Sequence, residues 1–435
     1  MQGLTGKSCN EHDNENVAIN VFRSGDKTCI NKCSGRGKCL AGYCKCDPGH
    51  WGMDCGRSVA YVPDPASPSE ACSTAAVKIY RYELPWYLAF PTEQDDGFPF
   101  YDHMYSAEDR FSEALARDVA VLTENPHEAN LFYVPMLAIY MNNQDASGRR
   151  LHHIMDYIHT TYPALWGRHH GRDHFVFLTH DHGACYVHAE DELSEAPIKM
   201  VHFGLEVGID AYTAMPGRHP ATNPRYGCFL GARDVLIPHP IDNHTFELGP
   251  EYHQRLVDET ANDTPPRQNL FFFGGALRLG DPTYSGGARQ TLHEFVLARN
   301  DSRVKYGGPV EEYTRASFCF NPYGDGWGSR LPHILLGGCV PVTVQDYTHQ
   351  AFDDIIPYDD IGLQLRVSEI PRLLDTLQAI PQSRILEYRR AALKYYRAFY
   401  WYRDGQAYDY TIASLHKRLS HGFHPSPAHA HNATL

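Results

Sequence analysis

Between Phe318 and Arg330 the chain reads Phe-Cys-Phe-Asn-Pro-Tyr-Gly-Asp-Gly-Trp-Gly-Ser-Arg. A β-rich run passes there into a glycine-rich turn, which opens a short helix ending at Gly337-Gly338. Unpaired amides at such a helix start, beside glycines that permit close approach, make a cradle for phosphate. Arg330 adds a fixed charge with forked donors, and Pro332 fits the first turn, where its missing N–H is not needed. Tyr323, Gly324, Ser329 and Arg330 are therefore binding candidates, with His333 close behind. Asp325 puts a negative charge in the same loop, so it must point away or serve another part of the ligand.

A loop of this kind needs a sheet behind it. From Val77 onward, short β-rich runs alternate with helical stretches: 77–82, 131–134, 174–179, 200–203 and 235–237. A polar, proline-containing span over 238–267 interrupts them, and the alternation restarts at 270–273, 303–306, 318–320 and 340–344. Strands alternating with helices indicate parallel sheets, here two in succession. The fold class is α/β, with two Rossmann-like domains facing a cleft and a small disulfide-rich module in front. The boundaries fall as an N-terminal segment (1–28), the module (29–55), a Pro-rich linker (56–76), the two Rossmann-like domains (77–240 and 241–383), C-terminal helices (384–422) and a His- and Pro-rich tail (423–435). The C-terminal helices are expected to pack on the outside, their many tyrosines serving core and interface.

Composition bounds the function. A chain of 435 residues predicts two or three domains. Acidic residues outnumber basic ones, 52 to 39, and neither sign forms a long run, which argues against a nucleic-acid partner. The first twenty residues lack the basic end and apolar run of a signal peptide, so a membrane anchor is expected only upstream of this sequence. Six of the twelve cysteines fall in the pattern Cys29-x3-Cys33-x5-Cys39-x4-Cys44-x-Cys46-x8-Cys55. So short a piece with so little apolar material needs disulfides in place of a core, and hence an oxidising compartment. Six cysteines alone leave the pairing open, and a zinc site would want two separated Cys-x2-Cys halves. Glycosylation acceptors at Asn243, Asn262, Asn300 and Asn432 agree with a lumenal setting. Cys9 with Cys72 and Cys185 with Cys228 are candidate pairs; for Cys319 and Cys339, spacing leaves buried thiols and a disulfide equally open.

The run Cys44-Lys-Cys46-Asp-Pro-Gly-His-Trp-Gly-Met-Asp-Cys55 resembles an EGF-like module, which implies pairing of Cys29 with Cys39, Cys33 with Cys44 and Cys46 with Cys55. That module is a candidate for protein contact. The chain from 77 to about 423 resembles the exostosin family of glycosyltransferases. The motifs are Phe318-Cys-x-x-Pro322, Arg330 eight residues before Gly338, and Cys339-Val-Pro-Val342. Others are Tyr105-Ser-Ala-Glu108, Thr123-Glu-Asn-Pro126, Arg172-Asp-His174 with His180-Asp-His-Gly183, Arg233-Asp-Val235, and Phe272-Phe-x-Gly275-x-x-Arg278 with Arg289. The resemblance implies a GT-B fold and a UDP-sugar donor held mainly by the C-terminal domain. It further implies transfer with inversion to a glycan or glycoprotein acceptor in the secretory pathway, at the Golgi lumen or membrane, with secretion as second choice. Without an Asp-x-Asp triplet to clamp a divalent metal, no metal cofactor is expected; arginines would neutralise the leaving UDP.

Arg289 and Arg330, then Arg278, are the residues that the resemblance nominates for that charge, against the plainer reading of surface or ion-paired arginines. Inversion needs one base, expected at the C-terminal end of a strand in the facing sheet. Asp181 is the first candidate, with Glu108 and His180 behind it; the plain alternative is that Asp181 caps a turn and His180 fills the core. His333 stands where the family carries Glu to accept from both ribose hydroxyls, and imidazole cannot accept such a pair. A catalytically inactive carbohydrate-binding or adhesion protein retaining the GT-B shape is therefore the alternative function.

Overall fold

The computed structural model describes residues 30–40, 43–48, 50–51, 55, 57–58, 77–85, 88, 104–136, 144–187, 191–205, 229–241, 249–261, 266–281, 284–324, 326–401, 405–420 and 423. Near the N-terminus, β1 (Gly37–Leu40) pairs antiparallel with β2 (Tyr43–Cys46), and β3 (His50–Trp51) with β4 (Arg57–Ser58). Disulfides join Cys33 to Cys44 and Cys46 to Cys55, as the EGF-like resemblance implies. Cys39 is also disulfide-bonded, while Cys29 lies outside the described residues, as do Asn243, Asn262 and Asn432. Among the described residues the one group of three potential metal ligands is Cys33, Cys44 and Cys55, whose sulfurs are engaged in these bridges.

The first large domain runs β5 (Ile79–Arg81), α1 (Ala107–Leu115), β6 (Leu131–Tyr133), α2 (Gln144–Thr161), β7 (His174–Leu178), β8 (Ile198–Val201), β9 (Gly204–Leu205) and β10 (Val235–Leu236). Its five-stranded sheet, ordered β10-β8-β7-β6-β5, is parallel throughout. In β7, Phe175 and Phe177 turn toward Phe111 of α1, while Val176 and Leu178 turn toward Ile154, Met155 and Ile158 of α2. A strand covered on both faces must be apolar along its length, which is why residues 175–178 read Phe-Val-Phe-Leu.

The second domain runs α3 (Gly249–Ala261), β11 (Asn269–Phe273), α4 (Ala288–Phe295), β12 (Val304–Tyr306), β13 (Ala316–Pro322), α5 (Leu331–Leu336), β14 (Val340–Val344), β15 (Thr348–His349) and β16 (Leu363–Leu365). Here too the sheet is parallel, in the order β12-β11-β13-β14-β16. The polar span expected over 238–267 contains α3, because Tyr252, Leu256 and Glu259 recur at helical spacing and are buried on one stripe. β16 and the short β9–β15 pair also escape the sequence pattern; the latter joins the two domains, with Leu205 opposite Thr348.

The final helices, α6 (Gln382–Tyr395) and α7 (Ala407–Ser420), are more than an outer layer. Tyr396, Phe399, Tyr400 and Leu415 share one apolar core with Phe111 and Phe175, so the chain end closes back over the first domain. Among the described residues no helix is long and apolar enough to cross a membrane.

Candidate active site

Every proposed site residue except Glu108, His333 and Arg289 follows the C-terminal end of a parallel strand, where loops of two facing sheets converge. β11 ends at Phe273 and leads to Gly275 and Arg278; β13 ends at Pro322 and leads to the loop 323–330; β7 ends at Leu178 and leads to His180 and Asp181.

Three arginines gather around two rings. The guanidinium carbons of Arg278 and Arg289 each lie 4.5 Å from the Tyr284 ring centre, and those of Arg289 and Arg330 lie 5.6 and 5.4 Å from that of Phe273. Cation–π contact lets positive groups share a small space that their mutual repulsion would otherwise open. Gly275 makes room: a Cβ there would stand 2.5 Å from Arg330 Nη2. Arg289 is only 1% exposed, donating to the carbonyls of Ala276 (2.7 Å) and Tyr323 (2.9 Å), while its Nε has no partner among the described residues. Burial first, then the charges of Arg330 and Arg278, push Arg289 down to about 10, opposed by Tyr284. Among the described residues no carboxylate is ion-paired to any of the three. An arrangement of this kind is incomplete without an anion.

The turn before α4 holds Arg289 in place. Ser285, Gly286 and Gly287 all have left-handed φ, and the buried Ser285 Oγ accepts from the Arg289 amide at 3.1 Å. Ser285 in turn donates its amide to Gly324 O, tying the α4 start to the glycine loop. Gly324 donates to Trp327 O at 3.1 Å, which closes that loop on itself. The buried Tyr323 uses its carbonyl for Arg289 and lays its ring against Phe203 of the first domain; burial, then the Asp346 charge, push its phenol up. Because α5 has six residues, the positive charge gathered here rests on the arginines more than on the helix start. His333, half-buried, stacks at 6.4 Å and 15° on Tyr313.

Facing this is Asp181, partly exposed, whose Oδ1 accepts from Tyr105 Oη at 2.8 Å. Tyr105 stacks on His180 at 5.4 Å, and Thr179 Oγ1 donates to its carbonyl at 2.7 Å. Glu108 is placed differently: at 3% exposure it accepts from the Met136 amide (2.7 Å) and Tyr133 Oη (3.0 Å), so it holds the β6 end instead of facing an acceptor. Tyr284, Tyr105 and Trp327 are the participants that residue reasoning left without a role. The glycine pair before α4 was a signal for the first; Tyr105 takes its place from Asp181 within the first domain, and Trp327 required the two domains to be brought together.

Two parallel sheets of five strands, an arginine cluster at the ends of one and a carboxylate at the end of the other match the GT-B arrangement. The exostosin GT47 domain matches residues 73–380, and the chain belongs to that family of glycosyltransferases. Two probable glucuronosyltransferases of Oryza sativa subsp. japonica are similar to it. One is 27% identical over 332 residues, covering 72% of this chain and 74% of its own length; the other is 26% identical over 372 residues, covering 80% and 82%. A probable beta-1,4-xylosyltransferase of Arabidopsis thaliana is 27% identical over 333 residues, covering 72% and 74%.

Proposed function

We propose that this enzyme moves a sugar, with inversion, from a UDP-sugar donor to a hydroxyl of a glycan or glycoprotein in the lumen of the secretory pathway. The observation that carries this is the convergence of Arg278, Arg289 and Arg330 on Tyr284 and Phe273 without a paired carboxylate among the described residues. UDP supplies the missing negative charge. Asp181 takes the acceptor proton, the acceptor oxygen bonds to the anomeric carbon, and the bond from that carbon to the pyrophosphate oxygen breaks. The arginines then stabilise the charge that UDP carries away, in a site where they need no reorganisation. The relatives' names favour a hexosyl or pentosyl donor, with glucuronosyl and xylosyl transfer first to try. No divalent metal is assigned a role. Golgi residence, with secretion second, is supported by the Cys33–Cys44, Cys46–Cys55 and Cys319–Cys339 bridges, which call for an oxidising compartment. The EGF-like module is assigned to protein contact.

His333 favours a second reading, a carbohydrate-binding protein without turnover, because its ring cannot accept from two ribose hydroxyls at once. Thermal shift and calorimetry with UDP test the donor site. Stabilisation of the wild type that Arg330→Ala abolishes is expected; no shift at UDP concentrations of about 1 mM would defeat the enzyme reading. Asp181→Asn should keep UDP binding and lose transfer, and undiminished turnover in that variant would remove Asp181 as base.

A further inference from the structure

Trp327 belongs to the second domain by sequence and to the first by contact. It sits in the loop between β13 and α5 and is 9% exposed. Its ring centre lies 4.6 Å from His239, 5.1 Å from His202 and 5.8 Å, edge-on, from Tyr105, all in the first domain. Its indole N–H has no hydrogen-bond partner among the described residues, so ring packing holds it there. Burial keeps both histidines uncharged at neutral pH: His202 is pushed down to about 4, and His239 falls well below its ordinary value. The seat is therefore apolar and aromatic.

The same loop touches both halves of the chemistry. Immediately before Trp327, Gly326 packs so closely on the Asp181 backbone that a Cβ there would stand 1.6 Å from the Asp181 carbonyl oxygen. Any side chain at that position would push the loop off Asp181. On its other side the loop is fastened to the arginine cluster, through Arg289 to the Tyr323 carbonyl and Ser285 to the Gly324 carbonyl, and Arg330 lies three residues on. His239 adds a hydrogen bond to the Ser329 backbone. Contacts thus run without a gap from Arg289 through Tyr323, Gly324 and Trp327 to Tyr105, whose hydroxyl bonds Asp181.

We propose that Trp327 is a positioning residue for sugar transfer: its ring, carried on the donor loop and seated among Tyr105, His202 and His239, sets the Tyr105–Asp181 pair against the bound donor. The inference rests on the reading of the arginines as donor site and Asp181 as base. The neutral Trp327 ring contributes no charge to the site of Arg278, Arg289 and Arg330, so its loss should leave UDP affinity intact and misplace the base. A misplacement of about 1 Å reduces turnover roughly 100-fold.

The test measures UDP affinity by calorimetry and UDP release from a panel of UDP-sugars at saturating donor, for wild type, Trp327→Ala, Trp327→Phe and Tyr105→Phe. For Trp327→Ala, UDP Kd within about threefold of wild type and kcat lowered by about 10- to 100-fold are expected, a split between binding and turnover that general destabilisation does not give. Trp327→Phe should recover most of the loss, because a ring still fills the seat, and Tyr105→Phe should lower kcat without weakening UDP. Undiminished kcat in Trp327→Ala, equal losses in the Phe and Ala variants, or a fall in UDP affinity matching the fall in kcat would each overturn the proposal. If Trp327→Ala does not fold, the two Phe variants decide it: wild-type kcat in Tyr105→Phe would overturn it. A wild type that does not bind UDP refutes instead the donor reading beneath it, which separates the two failures.

Discussion

Glu108 and Asp109 are neighbours in the first turn of α1, yet the fold treats them differently. Glu108 is satisfied by a backbone amide and a phenol, whereas Asp109 Oδ2 is buried with no partner among the described residues. Burial raises Asp109 from its ordinary 3.8 to about 6, only partly opposed by Arg110. Because the folded-state value lies above the unfolded one, folding favours the protonated form. The contribution of Asp109 is therefore fully present below about 4 and is lost as pH rises through about 6. Asp109→Asn should raise Tm at neutral pH, and the gain should vanish on acidification below about 4; a gain independent of pH would show that the carboxylate charge is not its cause. Arg330 stood out as a candidate at this scale because a fixed charge beside a glycine turn has a chemical meaning, whereas Arg289 was nominated by the family resemblance. Tyr105 did not stand out, since a tyrosine acquires its role only from the carboxylate it meets.

At the scale of elements, β13, α5 and β14 form one unit whose ends are joined by the Cys319–Cys339 disulfide, twenty residues apart in sequence. Spacing could not choose between thiols and a bridge. The fold decides it: β13 and β14 are parallel neighbours, and Cys339, one residue before β14, lies 5.8 Å from Cys319 between Cα atoms. The bridge closes the segment that carries the glycine-rich loop 323–330. Replacing both cysteines by alanine should lower unfolding free energy by about 3 kcal/mol, from the chain entropy of a loop of this length, read from denaturant titration; an unchanged midpoint would mean that the folded sheet fixes these ends without it. The central strands β6, β7 and β14 were legible because they are mostly apolar and buried along their length. α3 was missed because its one buried stripe is diluted by charge.

Across the whole molecule, α7 returns from the second domain to fasten the first. Arg418 donates to the carboxylate of Asp354, beyond β15, and to the carbonyls of Gly231, Arg233 and Asp234, which lead into β10. Ser414 and Lys417 also hold Asp354. Arg418→Ala removes the guanidinium from that carboxylate and from three carbonyls, and should reduce stability by about 3 kcal/mol. Calorimetry should then show the single transition broadening or splitting as the domains uncouple; one sharp transition at the wild-type temperature would count against a fastening role.

Local patterns were enough to predict two α/β domains behind a disulfide-rich module, and the family, because apolar strand runs and cysteine spacing depend on near neighbours. What only the tertiary structure decided is how the two sheets face each other: that Gly326 rests on Asp181, that Trp327 seats between His202 and His239, and that Glu108 is spent on the core. Each of these depends on contacts between segments far apart in the chain, or on which way a buried side chain turns. Their geometry is fixed by packing and no spacing rule encodes it.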